Sequence, residues 1–308
     1  MSTPVPVTSI APIVLSVPGR AVDLQVRVTA PATGDHLPII LLAHGIGASN
    51  NLSSLNGYAP LANHWAQRGF VVIQPTHLDS RTFGLGPDHP QIKRAWHTRA
   101  EDMSAVLDHF DEIGDAVPHL RDRMDRTKVA VAGHSMGGHT AGLLLGLRLK
   151  DPQDGTDVDL ADPRITAGVI LAAPGRGDVL TDFAAGHLPF MKTSDFSAMR
   201  TPAIVVVGDE DKSELLSTAG PEWLMDSYRL APGPKSLLTL FGAGHILGGV
   251  SGYDAAETTD ENPARVEAIA TMTAAYLKTQ FGLDPHAWDT AQQALADSPV
   301  PLGKVESK

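Results

Sequence analysis

Apolar positions along this chain follow two alternating rhythms. Unbroken runs of four to eight residues, rich in Val, Ile, Leu and Ala, occur at Pro38 to Ala43, Phe70 to Gln74, Val129 to Ala132, Ile165 to Ala172, Ala203 to Val207 and Ser236 to Phe241. Runs of that length and composition predict strands buried on both faces. Between them, apolar residues recur at helical spacing: Tyr58, Leu61, Ala62 and Trp65; then Trp96, Ala100, Met103, Val106, Leu107 and Phe110; then Val266, Ile269, Thr273, Tyr276 and Leu277. Gly69 stands where the first of these helices should stop, and Asn262 and Pro263 stand where the last should be capped and opened. Ile13 to Ser16 and Val22 to Val28 flank Pro18-Gly19, which predicts an opening hairpin. Strands alternating with helices imply an α/β fold, a mostly parallel sheet with helices on both faces. A single domain over 1–308 is expected, with its core at about 10–282. Residues 283–308 form a C-terminal extension, in which Trp288, Ala291 and Leu295 suggest a short docked helix before a fraying, Pro-rich end.

The stretch from Thr127 to Lys150 changes the picture from architecture to chemistry. A β-branched run ends in Gly133-His134-Ser135-Met136-Gly137-Gly138 and continues into an apolar helix expected over Thr140 to Leu149. In such a Gly-x-Ser-x-Gly turn the serine sits at a cramped strand-to-helix apex, where side chains at the flanking glycines would collide with neighbouring backbone. Its hydroxyl is held out at the helix's positive end, and the next backbone N–H, that of Met136, points where charge develops on an attacked carbonyl. Gly138, Gly142 and Gly146 recur every four residues, which implies close packing of this helix on the sheet.

A serine hydroxyl needs a base, commonly a histidine oriented by a carboxylate. Two later strands end in suitable sequences, Gly208-Asp209-Glu210-Asp211 and Gly242-Ala243-Gly244-His245. Both follow the carboxyl end of a buried strand, where open parallel sheets place their ligands. The order Ser135, Asp211, His245 therefore predicts a nucleophile, an orienting acid and a base. A second oxyanion donor is expected from His44-Gly45-Ile46-Gly47, with the N–H of Ile46 favoured and the His44 side chain structural. His134 and His139 are expected to pack beside the elbow.

Composition excludes several other chemistries. A net charge of -11 with scattered basic residues argues against nucleic acid, and the absence of cysteine excludes disulfides, thiolate metal sites and a cysteine nucleophile. No His-Glu-x-x-His pattern occurs. The carboxylates of Asp151, Asp154, Asp157, Asp159 and Asp162 lack calcium-loop spacing and read as a solvated loop. No cofactor and no metal are expected. The segment Met1 to Val17 shows no leader pattern and no run is long enough to span a membrane, which reads as a soluble, cytoplasmic protein.

With these motifs in hand, the chain resembles the α/β-hydrolase superfamily over about Pro38 to Gly282. Gly133-His134-Ser135-Met136-Gly137-Gly138, together with Thr76-His77-Leu78-Asp79-Ser80, is most similar to the chlorophyllase, platelet-activating-factor acetylhydrolase and polyester hydrolase group. The resemblance implies cofactor-free cleavage of a carboxylic ester. Two departures bear on substrate: chlorophyllases usually carry arginine at the place of Met136, and bacterial polyester hydrolases are secreted and often hold a disulfide. Only about thirty residues, Pro174 to Thr201, separate the strands after the elbow helix, too few for a large cap domain. Phe183, Phe190 and Met191 from that segment, and Leu247 beside the base, are candidate walls of a pocket for a small or medium apolar acyl group. An amidase, acyltransferase or perhydrolase on the same residues, and a non-catalytic binding protein of the same fold, are the alternative readings. Oligomeric state is not encoded in any pattern found.

Overall fold

In the computed structural model, which describes residues 5–47 and 49–308, the two apolar rhythms become strands and helices as expected. Met1 to Pro4, at the start of the stretch read as lacking a leader, and Ala48, which opens the polar loop after the first buried strand, lie outside the described residues. The elements in chain order are β1 (Val7–Leu15), β2 (Leu24–Pro31), β3 (Leu37–Ala43), α1 (Ala59–Gln67), β4 (Val71–Pro75), α2 (Pro90–Lys93), α3 (Ala95–Asp108), α4 (Phe110–Ala116), β5 (Met124–His134) and α5 (Met136–Leu144). They continue with β6 (Arg148–Lys150), β7 (Asp157–Asp159), β8 (Ala167–Leu171), α6 (Asp182–His187), β9 (Ala203–Gly208), α7 (Asp226–Arg229), β10 (Lys235–Leu240), α8 (Pro263–Gln280), α9 (Ala287–Ala296) and β11 (Gly303–Ser307).

Among the described residues, nine strands form one sheet in the order β1-β2-β4-β3-β5-β8-β9-β10-β11. The six from β4 to β10 are parallel, while β1 and β2 at one end and β11 at the other pair antiparallel. The period of two along each strand divides the core between the faces. Ile39 and Leu41 of β3 pack with α3 and α5, among them Met103, Val106 and Leu143. Ile40 and Leu42 pack on the other side with Trp65 of α1 and Ile269 of α8. Asn262 caps α8 by accepting the Arg265 N–H at 3.1 Å, and Pro263 occupies its first turn, as the sequence predicts. Among the described residues, no helix is long and apolar enough to cross a membrane.

Three expectations change. The elbow helix ends at Leu144 rather than Leu149, because Gly146 adopts φ 105° and the Leu147 N–H turns back to Gly142 O at 2.8 Å. Of the small-residue stripe, Gly138 and Gly146 are closely packed, a Cβ there lying 2.8 Å from the Cβ of Ala173 and 2.8 Å from Ala198 O, whereas Gly142 has ordinary space. Beyond α9, the tail read as fraying turns back as β11 and pairs Gly303 to Ser307 with Leu240 to Ser236. The acidic loop is a β6-β7 hairpin whose carboxylates are partly consumed by cations, Asp157 with Lys150, Asp159 with Arg148, Asp162 with Arg164 and Asp151 with Arg94. Among the described residues no group of His, Asp or Glu side chains is arranged to hold a metal.

Candidate active site

Strand register brings the site together. β3 and β5 pair so that Ala43 lies opposite Gly133, and β5 and β8 so that His134 lies opposite Leu171. The turn after β3 and the elbow after β5 therefore leave the sheet side by side. Ser135, between the last residue of β5 and the first of α5, has φ 56° and ψ −121°, a conformation L-residues rarely adopt. The elbow can form because its flanks lack side chains. A Cβ on Gly133 would lie 2.0 Å from Gly137 O, and one on Gly137 would lie 2.1 Å from Ala43 O. The Ser135 N–H is held by Leu171 O at 2.9 Å.

The loops after β9 and β10 supply the expected partners. Ser135 Oγ lies 2.9 Å from His245 Nε2, and His245 Nδ1 lies 2.7 Å from Asp211 Oδ2. With Asp211 accepting, Nδ1 carries the ring proton and Nε2 is free to accept the serine hydroxyl. Asp211 is buried, and its other oxygen accepts from Ser213 Oγ at 3.2 Å. Asp209, which follows the same strand, is exposed and accepts the Gly242 N–H at 2.6 Å. Asp260, which no sequence pattern marks, accepts the N–H groups of Gly244 at 2.8 Å and Gly248 at 3.0 Å, bracing both sides of His245.

The N–H of Met136 opens α5, where the first residues have no intrahelical acceptor. The N–H of Ile46 donates to no described residue, and the residue is 54% exposed. Behind this turn lies a buried polar cluster. His44 Nδ1–H donates to Gly45 O at 2.7 Å and Nε2 accepts the His77 N–H at 3.0 Å. The Arg99 guanidinium donates to His44 O at 2.7 Å and to Asp79 at 2.9 Å. Burial first, and then the Arg99 charge, push His44 and His77 well below the ordinary histidine range. Burial alone would raise Asp79, but the Arg99 cation outweighs it and holds the carboxyl low. Asp102, raised by burial to about 6 against the opposing pull of Arg20, accepts from neutral His77 at 2.9 Å and from Arg20 at 2.7 Å. Thr76-His77-Leu78-Asp79-Ser80 thus supplies supports for the turn after β3.

Three of the four pocket candidates are buried and one is exposed. Met191 and Leu247 have no accessible surface, and Phe190 is buried between Trp96, its ring 5.7 Å away, and His139 at 5.2 Å. All three belong to the buried core clusters. Phe183 is 46% exposed on α6 and stacks on His187. The stretch entering α6 is tied to the loop that carries Asp211, since Thr181 Oγ donates to Leu215 O at 2.7 Å.

The sequence is similar to several known proteins over part of its length. The chain is 28% identical over 142 residues to a platelet-activating factor acetylhydrolase of Cavia porcellus, covering 35% of this chain and 31% of that protein. It is 31% identical over 157 residues to the same enzyme of Canis lupus familiaris, with 37% and 34% covered. It is 27% identical over 187 residues to Cutinase 2 of Thermobifida cellulosilytica, with 60% and 53% covered. The matches to these curated relatives thus span from 31% to 53% of their lengths. The profile of the alpha/beta hydrolase family matches residues 40–303, from the fourth residue of β3 to the start of β11, and the chain belongs to that family.

Proposed function

We propose that this protein is a serine hydrolase that cleaves a carboxylic ester through an acyl-enzyme on Ser135. The observation that carries the reading is the unbroken chain from Ser135 Oγ through His245 to the buried Asp211 carboxylate, at 2.9 and 2.7 Å. Ser135 attacks the ester carbonyl while His245 Nε2 takes its proton, and Asp211 stabilises the imidazolium that results. The N–H groups of Ile46 and Met136 receive the oxyanion. One such donor is worth about 3–4 kcal/mol of barrier in comparable sites. His245 returns the proton to the departing alcohol, and a water activated by the same base then releases the acid. The names of the acetylhydrolase and cutinase relatives support an ester substrate.

An apolar acyl group fits the exposed Ile46, Phe183 and Leu215, all on segments beyond the carboxyl ends of the strands, which would strip water from a charge without pairing it. The test is a panel of p-nitrophenyl esters from acetate to palmitate, with a succinate half-ester for comparison and Ser135→Ala as control. The expected result is turnover of uncharged esters that falls by about 10⁴-fold in the variant. Equal hydrolysis by Ser135→Ala would refute the mechanism, and equal rates for succinate and butyrate esters would refute the apolar acyl site.

A further inference from the structure

The proposed machinery draws on two loops far apart in the chain, the turn after β3 with Gly45 and Ile46, and the loop after β10 with His245. One path of side-chain hydrogen bonds joins them beneath the nucleophile. The Gly45 N–H donates to Tyr58 Oη at 3.0 Å, Tyr58 Oη lies 2.9 Å from His134 Nδ1, and His134 Nε2 lies 2.7 Å from His245 O. Tyr58 precedes α1 in a left-handed conformation with φ 61°, and its own N–H donates to Ser251 O at 2.9 Å, a second tie to the loop beyond His245.

Proton placement along this path is unambiguous. A backbone N–H can only donate, so the Tyr58 hydroxyl accepts from Gly45 and gives its single proton to His134 Nδ1. His134 then carries its proton on Nε2, which is what the His245 carbonyl requires. Both ends independently demand the same tautomer. A second proton on His134 would face the Tyr58 O–H and break the path. Burial, followed by the neighbouring His245, holds that imidazole down at about 3, so it stays neutral wherever the enzyme works.

Building on the serine hydrolase reading, we propose that Tyr58 and His134 are positioning residues that fix the spacing between the oxyanion turn and the catalytic base. Neither reaches a reacting atom through its hydrogen bonds. Tyr58 holds the turn that presents Ile46, while His134, adjacent to Ser135 in sequence, holds the backbone of His245. Two rings of fixed length set the distance from oxyanion donor to base, with ring centroids 5.8 Å apart for Tyr58 and His134 and 5.0 Å for His134 and His245. Both residues sit in a core that is otherwise largely apolar, on the α1 and α8 face of the sheet, where packing alone would be met by phenylalanine and leucine.

The experiment compares wild type, Tyr58→Phe, His134→Leu, His134→Gln, the Tyr58→Phe/His134→Leu double variant and Ser135→Ala on p-nitrophenyl butyrate. Melting temperature and reaction with a fluorophosphonate are measured on the same samples. Misplacement of oxyanion donor against base should lower kcat by about tenfold or more in Tyr58→Phe and His134→Leu, with KM within about twofold. His134→Gln keeps a donor for the His245 carbonyl and should recover part of the loss. The double variant should be no slower than His134→Leu, because a strut broken once is broken. Wild-type kcat in both single variants with only a lowered melting temperature would overturn the proposal, as would losses that multiply in the double variant. If His134→Leu does not fold, Tyr58→Phe and His134→Gln decide by the same kcat and KM criterion. Silence of the wild type toward ester and fluorophosphonate alike would overturn the hydrolase reading and the proposal with it, whereas an active wild type beside unaffected strut variants would sink the proposal alone.

Discussion

Mild acid should unfold this protein, and four histidines carry the reason. His44, His77, His134 and His139 are buried. Burial is the leading cause that lowers each of them, His134 to about 3, His139 to about 4, and His44 and His77 well below the ordinary value. In the unfolded chain the same rings take up protons near pH ~6.5. A group lowered by folding gives its full stabilisation above the unfolded value and loses it as the pH falls toward the folded one. Asp102 acts in the opposite sense: raised to about 6, it holds a proton in the folded state that the unfolded chain releases above pH ~4. Near pH ~5 the unfolded state therefore binds about four more protons on these histidines, a fifth on half-buried His64, which burial lowers to about 4, and about one fewer on Asp102. The net of about four protons gives a slope on the order of 5 kcal/mol per pH unit. Against a total stability of about 5–15 kcal/mol, this slope removes the fold within a few units of neutrality. Guanidinium unfolding at several values between pH ~7.5 and ~5 measures it, and His139→Leu should flatten the slope by about one proton, or ~1.4 kcal/mol per unit. Stability that stays level over that range would show that these rings are not held neutral by burial.

Three further outcomes are expected. Arg99→Met leaves Asp79 charged and unpaired and the His44 carbonyl without its donor, a loss of about 3–5 kcal/mol. At roughly 2.1 cal/mol/K per residue over 308 residues, that lowers Tm by about 5–8 °C in calorimetry, and a fall below about 2 °C would contradict it. Asp211→Asn should cut kcat by about 10³- to 10⁴-fold with little change in Tm, while Asp209→Ala should cost about 1 kcal/mol of stability and leave kcat nearly unchanged; the reverse pattern would exchange their roles. Gly137→Ala, whose Cβ would meet Ala43 O at 2.1 Å, should destabilise by about 3 kcal/mol or more and abolish turnover, whereas Gly86→Ala, with nothing within 4 Å, should alter neither Tm nor rate.

The sheet was legible in the sequence because its central strands are buried on both faces and leave unbroken apolar runs. The elbow was legible because a backbone that passes within about 2 Å of a would-be Cβ tolerates only glycine. What escaped follows from the same physics. β11 is an edge strand, Gly-Lys-Val-Glu-Ser behind a Pro-rich stretch, and its pairing with β10 rests on backbone hydrogen bonds that need no apolar pattern. Asp260 braces the His245 loop from a region without periodicity, and only the fold brings it to Gly244 and Gly248. The pocket candidates were chosen for apolar character, which does not separate a side chain facing a cleft from one filling the core. Phe190, Met191 and Leu247 are buried in the core clusters. Tyr58 reads as part of an apolar helical stripe and His134 as packing beside the elbow, and neither pattern marks the polar path that joins them.

The central claim is a covalent acyl group on Ser135. The direct measurement is mass spectrometry of protein quenched in acid during turnover of p-nitrophenyl acetate, with peptide mapping of the adduct. One acetyl group is expected, on the peptide that contains Ser135, accumulating most where its hydrolysis is slower than its formation and missing in Ser135→Ala. An acetyl group that persists in Ser135→Ala, or one that maps to another residue while turnover continues, would contradict it.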